Sequence, residues 1–561
     1  MKLTGAQILM EILKAEKVDT IFGFPGGAVI DIYDELAKSD IHHVLVRHEQ
    51  GAVHAADGYA RASGGTGVCL VTSGPGATNT VTGIASAFMD SIPLVVICGQ
   101  VPTSLIGNDA FQEVDIVGIT RPCTKHNYLV QDVNDLQKVL KEAFYLARSG
   151  RPGPVLVDIP KDVAKAELEY SPLEDIKLKS YNPNYQPNMW QLQKVIALIE
   201  QAERPIIFAG GGVILSKAAE ELTQFARKCQ IPVTTSLMGL GAFPGSDPLW
   251  LGMLGMHGTY RANMCTGHCD LMISIGVRFD DRVTGKTDAF ASQAKIVHID
   301  IDPTSIRKNI PVTIPIVGDC KISLEHLNDL IKDFDPSIIK PRRQKWLDQI
   351  QEWKSTKPLA YNQDEIIKPQ YVVEKLFQLT NGQAIITTEV GQNQMWAAQY
   401  YHFDQPGHFI TSGGLGCMGF GLPAAIGAQV ACPDKMVVDV AGDGSIQMNI
   451  QEMATAVQYC LPVKVVILNN GYLGMVRQWQ ELFYEKRYAC TGMDFAPDFV
   501  KLAEAYGASG LRAAKPADVE SVLSEGLAAK KPVIMDFVVE QEENVYPMVP
   551  AGAPITEMLL V

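Results

Sequence analysis

The chain has 561 residues, a formal net charge of −14, 47% hydrophobic and 20% charged residues. That length and balance describe a soluble globular protein of three or four domains, each able to bury a core. With no long basic run, nucleic acid and anionic membranes are excluded as partners. No apolar run approaches the ~18 residues of a membrane span. The amino-terminal stretch lacks the apolar core and cleavage site of a signal peptide, so a cytoplasmic location is expected.

Eleven cysteines with most in apolar surroundings, such as Cys69, Cys98 and Cys460, read as buried reduced thiols. The spacing of Cys265, His268 and Cys269 does not match the usual zinc patterns.

Residues 1–170 alternate helical and apolar segments. Thr4 is the expected N-cap of a helix through Lys14. Strands are expected at 19–23, 43–46, 67–72, 94–98 and 155–159, which indicates a doubly wound parallel sheet. The turns FPGGAV (with Gly26 and Gly27), SGPGATN (with Pro75 and Asn79) and GQVP then line the ligand edge. Glu49 opens a small-residue helix in VRHEQGAVHAADGYARASG, where a carboxylate ordinarily serves the helix dipole. NDAFQEVDI and GRPGPVLVDIPKDV follow. By themselves, Phe111 reads as core and Lys161 as a solvated charge.

A polar stretch at 165–190 reads as a linker to a second α/β domain, 190–340, with strands at 205–209, 233–235, 271–275 and 295–301. FAGGGV places Gly210, Gly211 and Gly212 in a nucleotide-type turn, without the third glycine of GxGxxG. Residues 335–368 read as a helix flanked by linkers.

The third domain, 369–540, opens with helix YVVEKLFQLT and strand AIITTEVG, which ends at Val390, Gly391, Gln392 and Asn393, a natural place to meet a diphosphate. TSGGLGCMGFGLPAAIGAQV is a glycine-rich turn leading into a helix. An apolar run at 436–440 then ends at Gly442-Asp443-Gly444, a helix is expected over 447–459, and a second run at 463–468 ends at Asn469-Asn470-Gly471. In a parallel sheet both turns reach the carboxyl edge, so Asp443 and Asn470, 470 − 443 = 27 positions apart, lie side by side. One carboxylate with neutral oxygens and a ligand's phosphates suits Mg²⁺. GMVRQWQ carries Met475, Val476 and Trp479 at helical spacing, ordinarily a packing stripe. The Pro-rich tail, 541–561, is expected to be an arm that closes over the active site.

The paired GDG and NN turns resemble the diphosphate-binding signature of thiamine-diphosphate (ThDP) enzymes. That resemblance implies Asp443, Asn470 and the Tyr472 carbonyl as Mg²⁺ ligands, with Gly442, Gly444 and Ser445 beside the diphosphate. It gives Glu49 contact with the aminopyrimidine ring, as the group that promotes deprotonation of the thiazolium. The Gly416 carbonyl would meet the ring's amino group, and Met418 would bend the cofactor. Whole phrases further resemble the catalytic subunits of acetohydroxyacid (acetolactate) synthases, across essentially the full chain. The family binds FAD with MLGMHGTYRAN, GVRFDDRVTG, HIDIDP and VGDC. Carried over, these give Leu237, Met256, His257, Gly258, Arg278, Asp280, Arg282, Asp300, Ile301 and Asp319, beside the three glycines and Arg151. Phe111 and Gln112 are implied near substrate and cofactor, Lys161 at the entrance, and Met475, Val476 and Trp479 over the active site.

The resemblance implies three doubly wound α/β domains: pyrimidine-binding, FAD-binding and diphosphate-binding. The implied activity is decarboxylation of pyruvate and carboligation to pyruvate or 2-ketobutyrate, a shared step of branched-chain amino-acid synthesis. A homodimer or dimer of dimers and a separate small regulatory subunit are also implied. Glyoxylate carboligases share the FAD domain but lack a Glu at the place of Glu49. Pyruvate oxidase is the other relative, and RFDDRVTG and GMVRQWQ favour the synthase over it. Intact Glu49, Asp443 and Asn470 weigh against a non-catalytic paralogue.

Overall fold

The computed structural model describes residues 2–173, 176 and 178–560. Positions 174, 175 and 177 of the expected linker lie outside the described residues. Thr4 begins the first helix, Gly5–Ala15, through a reciprocal capping box with Gln7. The preceding strand Lys2–Thr4 pairs antiparallel with Glu167–Glu169, which ties together the two ends of the first α/β unit.

Three six-stranded parallel sheets follow. In the first, the strands are Thr20–Phe24, His42–Leu45, Gly67–Val71, Leu94–Gln100, His126–Leu129 and Pro154–Pro160. Counted along the chain, they lie in the order 2-1-3-4-6-5. The third sheet, from Ile385–Thr388, Phe409–Ile410, Val437–Gly442, Lys464–Asn469, Ser509–Ala513 and Val533–Val538, has the same order. The central sheet, from Pro205–Ala209, Val233–Thr235, Trp250–Met253, Leu271–Ile275, Lys295–Asp300 and Ile314–Val317, runs 3-2-1-4-5-6, the dinucleotide-binding order. The inner strands are apolar because helices cover both faces; every residue of Leu94–Gln100 is buried.

The first and third units meet where helix Glu49–Ser63 crosses helix Gly421–Ala431. The backbones touch. A Cβ on Gly58 would stand 2.2 Å from the Ala424 carbonyl oxygen, and one on Gly427 would stand 1.8 Å from that of Ala55.

Some expectations need correction. The helix expected over 447–459 is two helices, Asp443–Ile446 and Glu452–Gln458. The break has a cause: buried Asn449 turns inward to donate to the Gly419 carbonyl at 2.7 Å. Cys460 is exposed, on a left-handed turn after the second helix. Apart from these corrections, the tail runs from the third unit, where Val545 is buried in the core, onto the central one. Val549 N–H donates to the Met256 carbonyl at 2.8 Å, Lys286 N–H to that of Ala553 at 3.0 Å, and Ile555 is buried with the central core.

Candidate active site

In both the first and third sheets the strand order reverses between the first and third strands in chain order. In the third sheet this switch point lies between Ile385–Thr388 and Val437–Gly442, so Val390, Gly391 and Asp443 stand at one crevice. Gly442 also pairs with Leu468 in register, which brings the Asn470 turn alongside.

Asp443 is 1% exposed, and both carboxylate oxygens lack a hydrogen-bond partner among the described residues. Burial pushes its pKa up to about 6, offset only in part by the nearby amides of Asp443, Asn470 and Gly444. A buried, orphaned carboxylate is costly, and a hard cation satisfies it. No other His, Cys, Asp or Glu forms a metal-type cluster with it among the described residues, so the remaining ligands would be neutral oxygens and phosphate. Asn470 fits: its Oδ1 accepts from Tyr472 N–H at 3.1 Å and keeps a second lone pair. Ser445 Oγ bonds back to Gly442, fixing the turn. Asn393 Nδ2 donates to the carbonyls of Glu389 and Val440, joining the two strand ends. The residues present therefore fit a Mg²⁺–diphosphate group.

Beside this turn runs a cavity of about 830 Å³. Its wall includes Arg151, Gly211, Gly212, Asp300, Ile301 and Asp319. Leu237, Met256, His257, Arg278, Asp280 and Arg282 continue it, and it reaches Val390, Gly391, Gly416, Met418, Met475, Val476 and Trp479. Gly210 and Gly258, expected at this site, are not among the residues that line it. A Cβ on Gly210 would lie 2.2 Å from the Gly276 carbonyl oxygen, which lets the loops meet at the central switch point. Arg151 bonds to Ser91 Oγ at 2.8 Å and Asp302 at 3.0 Å. Asp280 and Asp319 cap short and long helices respectively. Burial raises Asp300 to about 7 and lowers His257 to about 4. Trp479 has a buried, unpartnered Nε1, and the Arg282 guanidinium lies 5.8 Å from its ring centre. A cavity of this size with glycine turns, arginines and carboxylates suits a dinucleotide.

Arg151 apart, the candidate residues of the first unit form a separate group that does not line this cavity in the single chain. Glu49 starts its helix half-buried, and its Oε2 accepts from Asn79 Nδ2 at 2.9 Å. Pro75 begins the short helix Pro75–Thr78 that ends at Asn79. Gly26 is pressed against Thr72, whereas Gly27 faces open space. The Gly27 carbonyl accepts from Lys161 Nζ at 2.9 Å. Gln112 holds a left-handed backbone (φ 61°), and Phe111 is 88% exposed.

Several supporting contacts escape a reading of motifs. Gln392, expected at the end of its strand, is held by side chains on both sides. Its Oε1 accepts from Asn470 Nδ2 at 3.2 Å, and its Nε2 donates to Gln478 Oε1 at 2.9 Å. Gln478 passes the chain of bonds to the Val545 backbone in the arm. Gly474 permits this packing, since a Cβ there would lie 2.1 Å from Gln392 Oε1. Glu389, fully buried, accepts from the amides of Gly419 and Leu422 and so braces the loop carrying Met418; burial raises it to about 8. The helical position of Gln478 within GMVRQWQ was visible in sequence, but its partners were not.

Three family models match successive parts of the chain. They describe the N-terminal TPP binding domain of thiamine pyrophosphate enzymes (residues 3–119), the central domain (192–327) and the C-terminal TPP binding domain (389–537). The chain is 50% identical over 564 residues to the acetolactate synthase large subunit of Haemophilus influenzae, covering 100% of this chain and 98% of that one. It is 51% identical to the acetolactate synthase isozyme 3 large subunit of Escherichia coli, with the same coverage. With the probable acetolactate synthase large subunit of Methanocaldococcus jannaschii it shares 48% identity, over 99% of this chain and 95% of that one. The chain belongs to the thiamine pyrophosphate enzyme family, among its acetolactate synthase large subunits.

Proposed function

We propose that this chain decarboxylates pyruvate and joins the two-carbon unit to a second 2-ketoacid, pyruvate or 2-ketobutyrate, in branched-chain amino-acid synthesis. The observation that carries the reading is Asp443, a buried carboxylate with no partner at a glycine-lined switch point. Bound ThDP supplies the electron sink for decarboxylation. Asp443, Asn470 and the Tyr472 carbonyl would hold its Mg²⁺. FAD would occupy the cavity lined by Asp300 and Trp479, as a structural group with no net redox task.

Glu49 would hold and move the proton at the aminopyrimidine. Half-buried in the single chain, it would be enclosed by a second copy, with Asp443 and Asn470 of that copy opposite. Phe111 supports this reading: a phenyl ring 88% exposed is poorly placed in water and suits a covered interface. A homodimer is thus the minimal active unit, and a small regulatory subunit joins it. Lys161 would attract the carboxylate of an incoming ketoacid. Trp479 and Met475 would shape the acceptor pocket.

The test is an incubation with pyruvate, ThDP, Mg²⁺ and FAD, omitting each in turn. Acetolactate that depends on ThDP and Mg²⁺ supports the proposal. Oxygen consumption with peroxide in its place indicates pyruvate oxidase, and no ThDP-dependent decarboxylation overturns an enzymatic role.

A further inference from the structure

The segment that leads into Glu49 is held by the third unit of the same chain. Along the helix Glu452–Gln458 and just beyond it, side chains reach strand His42–Leu45 and the residues after it. Tyr459 Oη accepts from Leu45 N–H at 2.8 Å and donates to the His43 carbonyl at 3.1 Å. Gln458 meets the Arg47 guanidinium at 2.5 Å. Glu452 makes the closest hold. It is 1% exposed, and its Oε1 accepts from the amides of Arg47 and His48, each at 3.0 Å. Thr455 Oγ1 donates to its other oxygen at 2.6 Å. A Cβ on Gly51 would stand 2.6 Å from Glu452 Oε1, so glycine leaves the room this carboxylate occupies.

We propose that Glu452 is a positioning residue for Glu49. It fixes the backbone one and two residues before Glu49, while Asn79 holds the Glu49 carboxylate at 2.9 Å. The backbone that carries the proton-transfer group is therefore set by an element belonging to the diphosphate-binding unit, nine positions (452 − 443) beyond Asp443. Both amides are bonded to one buried anion, a strong form of backbone hydrogen bond. This inference rests on the role given to Glu49 above.

The test compares Glu452→Ala, Glu452→Gln and Glu49→Gln in the full chain with cofactors, and follows amide exchange of the apoprotein. A misplacement of about 1 Å costs on the order of 100-fold, so Glu452→Ala should lower kcat by about that factor with the KM for ThDP within about threefold. Exchange at Arg47 and His48 should accelerate while strand Lys464–Asn469 is unchanged. Glu452→Gln keeps the length and one acceptor oxygen, so it should recover about tenfold of the loss. Gln458→Ala, whose side chain hydrogen-bonds only the Arg47 guanidinium among the described residues, should leave kcat within about twofold.

The proposal is overturned if Glu452→Ala keeps normal kcat, or if its effect falls on the ThDP KM alone. Exchange that quickens throughout the third unit, with Gln no better than Ala, also overturns it, because that is general loosening. Normal turnover in Glu49→Gln would instead overturn the role of Glu49 itself. Slow Glu49→Gln beside normal Glu452→Ala removes only the positioning role.

Discussion

Asp158 lies two residues before Pro160 and three before Lys161, inside the strand Pro154–Pro160, and is 1% exposed. Its Oδ2 accepts from Gln100 Nε2 at 3.0 Å, and Oδ1 has no partner. Burial pushes its pKa up to about 8 from 3.8; the Gln100 bond opposes this and nearby Asp115 adds to it. A carboxyl with a raised folded-state pKa contributes stability that is fully present below its unfolded value and is lost as pH rises to its folded value. The window here runs from about 4 to about 8, at about 1.4 kcal/mol per pH unit. Between pH 5 and pH 7.5 the wild-type strand should therefore lose about 3 kcal/mol of local stability through this group alone. Asp158→Asn is nearly isosteric and does not titrate, so its advantage over wild type should grow by that amount across the interval. Amide exchange of strands Leu94–Gln100 and Pro154–Pro160 reads the local opening free energy. Comparing the two proteins at each pH cancels the intrinsic exchange rates. An advantage that stays constant from pH 5 to 7.5 would refute the assignment of a protonated, buried Asp158.

Asp443→Ala should weaken ThDP binding in the presence of Mg²⁺ by about 10- to 100-fold, the worth of a lost charged contact, and leave FAD retention intact; calorimetric titration with unchanged affinity rejects it. Glu49→Gln should slow turnover by at least about 100-fold with Mg²⁺–ThDP affinity retained, and steady-state rates near wild type would contradict the proton-transfer role. Gly427→Ala puts a Cβ at 1.8 Å from Ala55 O, where ordinary contact begins at 3.4 Å. Overpacking of that kind costs about 1–3 kcal/mol or more, so its melting temperature should drop, whereas Gly153→Ala, with its nearest neighbour at 3.5 Å, should melt like wild type.

The strands legible in sequence were those buried on both faces, because a continuous apolar run is its own signal. Gly67–Val71, Pro205–Ala209 and Lys464–Asn469 are of this kind. Those that escaped include edge or near-edge strands such as His126–Leu129 and Phe409–Ile410, which are short or half-exposed. Val533–Val538 escaped for another reason: Asp536 interrupts its apolar run, and Asp536 is tolerated because Arg512 and Asn469 bond to it. The Asp443–Asn470 pair could be read because only two short helices and one strand lie between the two turns, a local geometry. Glu452 could not, since the amides it holds lie 405 and 404 positions away. Glu49 was marked as special by resemblance alone, as a carboxylate at a helix start has an ordinary use.

The crossing of helices Glu49–Ser63 and Gly421–Ala431 has a symmetry that the sequence does not display. Each helix joins the second and third strands of a sheet with the order 2-1-3-4-6-5. Gly58 meets Ala424 as Gly427 meets Ala55, so the contact is isologous about a pseudo-two-fold axis inside one chain. Each glycine faces backbone rather than a side chain, so no exchange on the opposite helix can make room for a larger residue. The two halves carry different chemistry, Glu49 on one and Asp443 on the other, while the axis between them admits a single geometry.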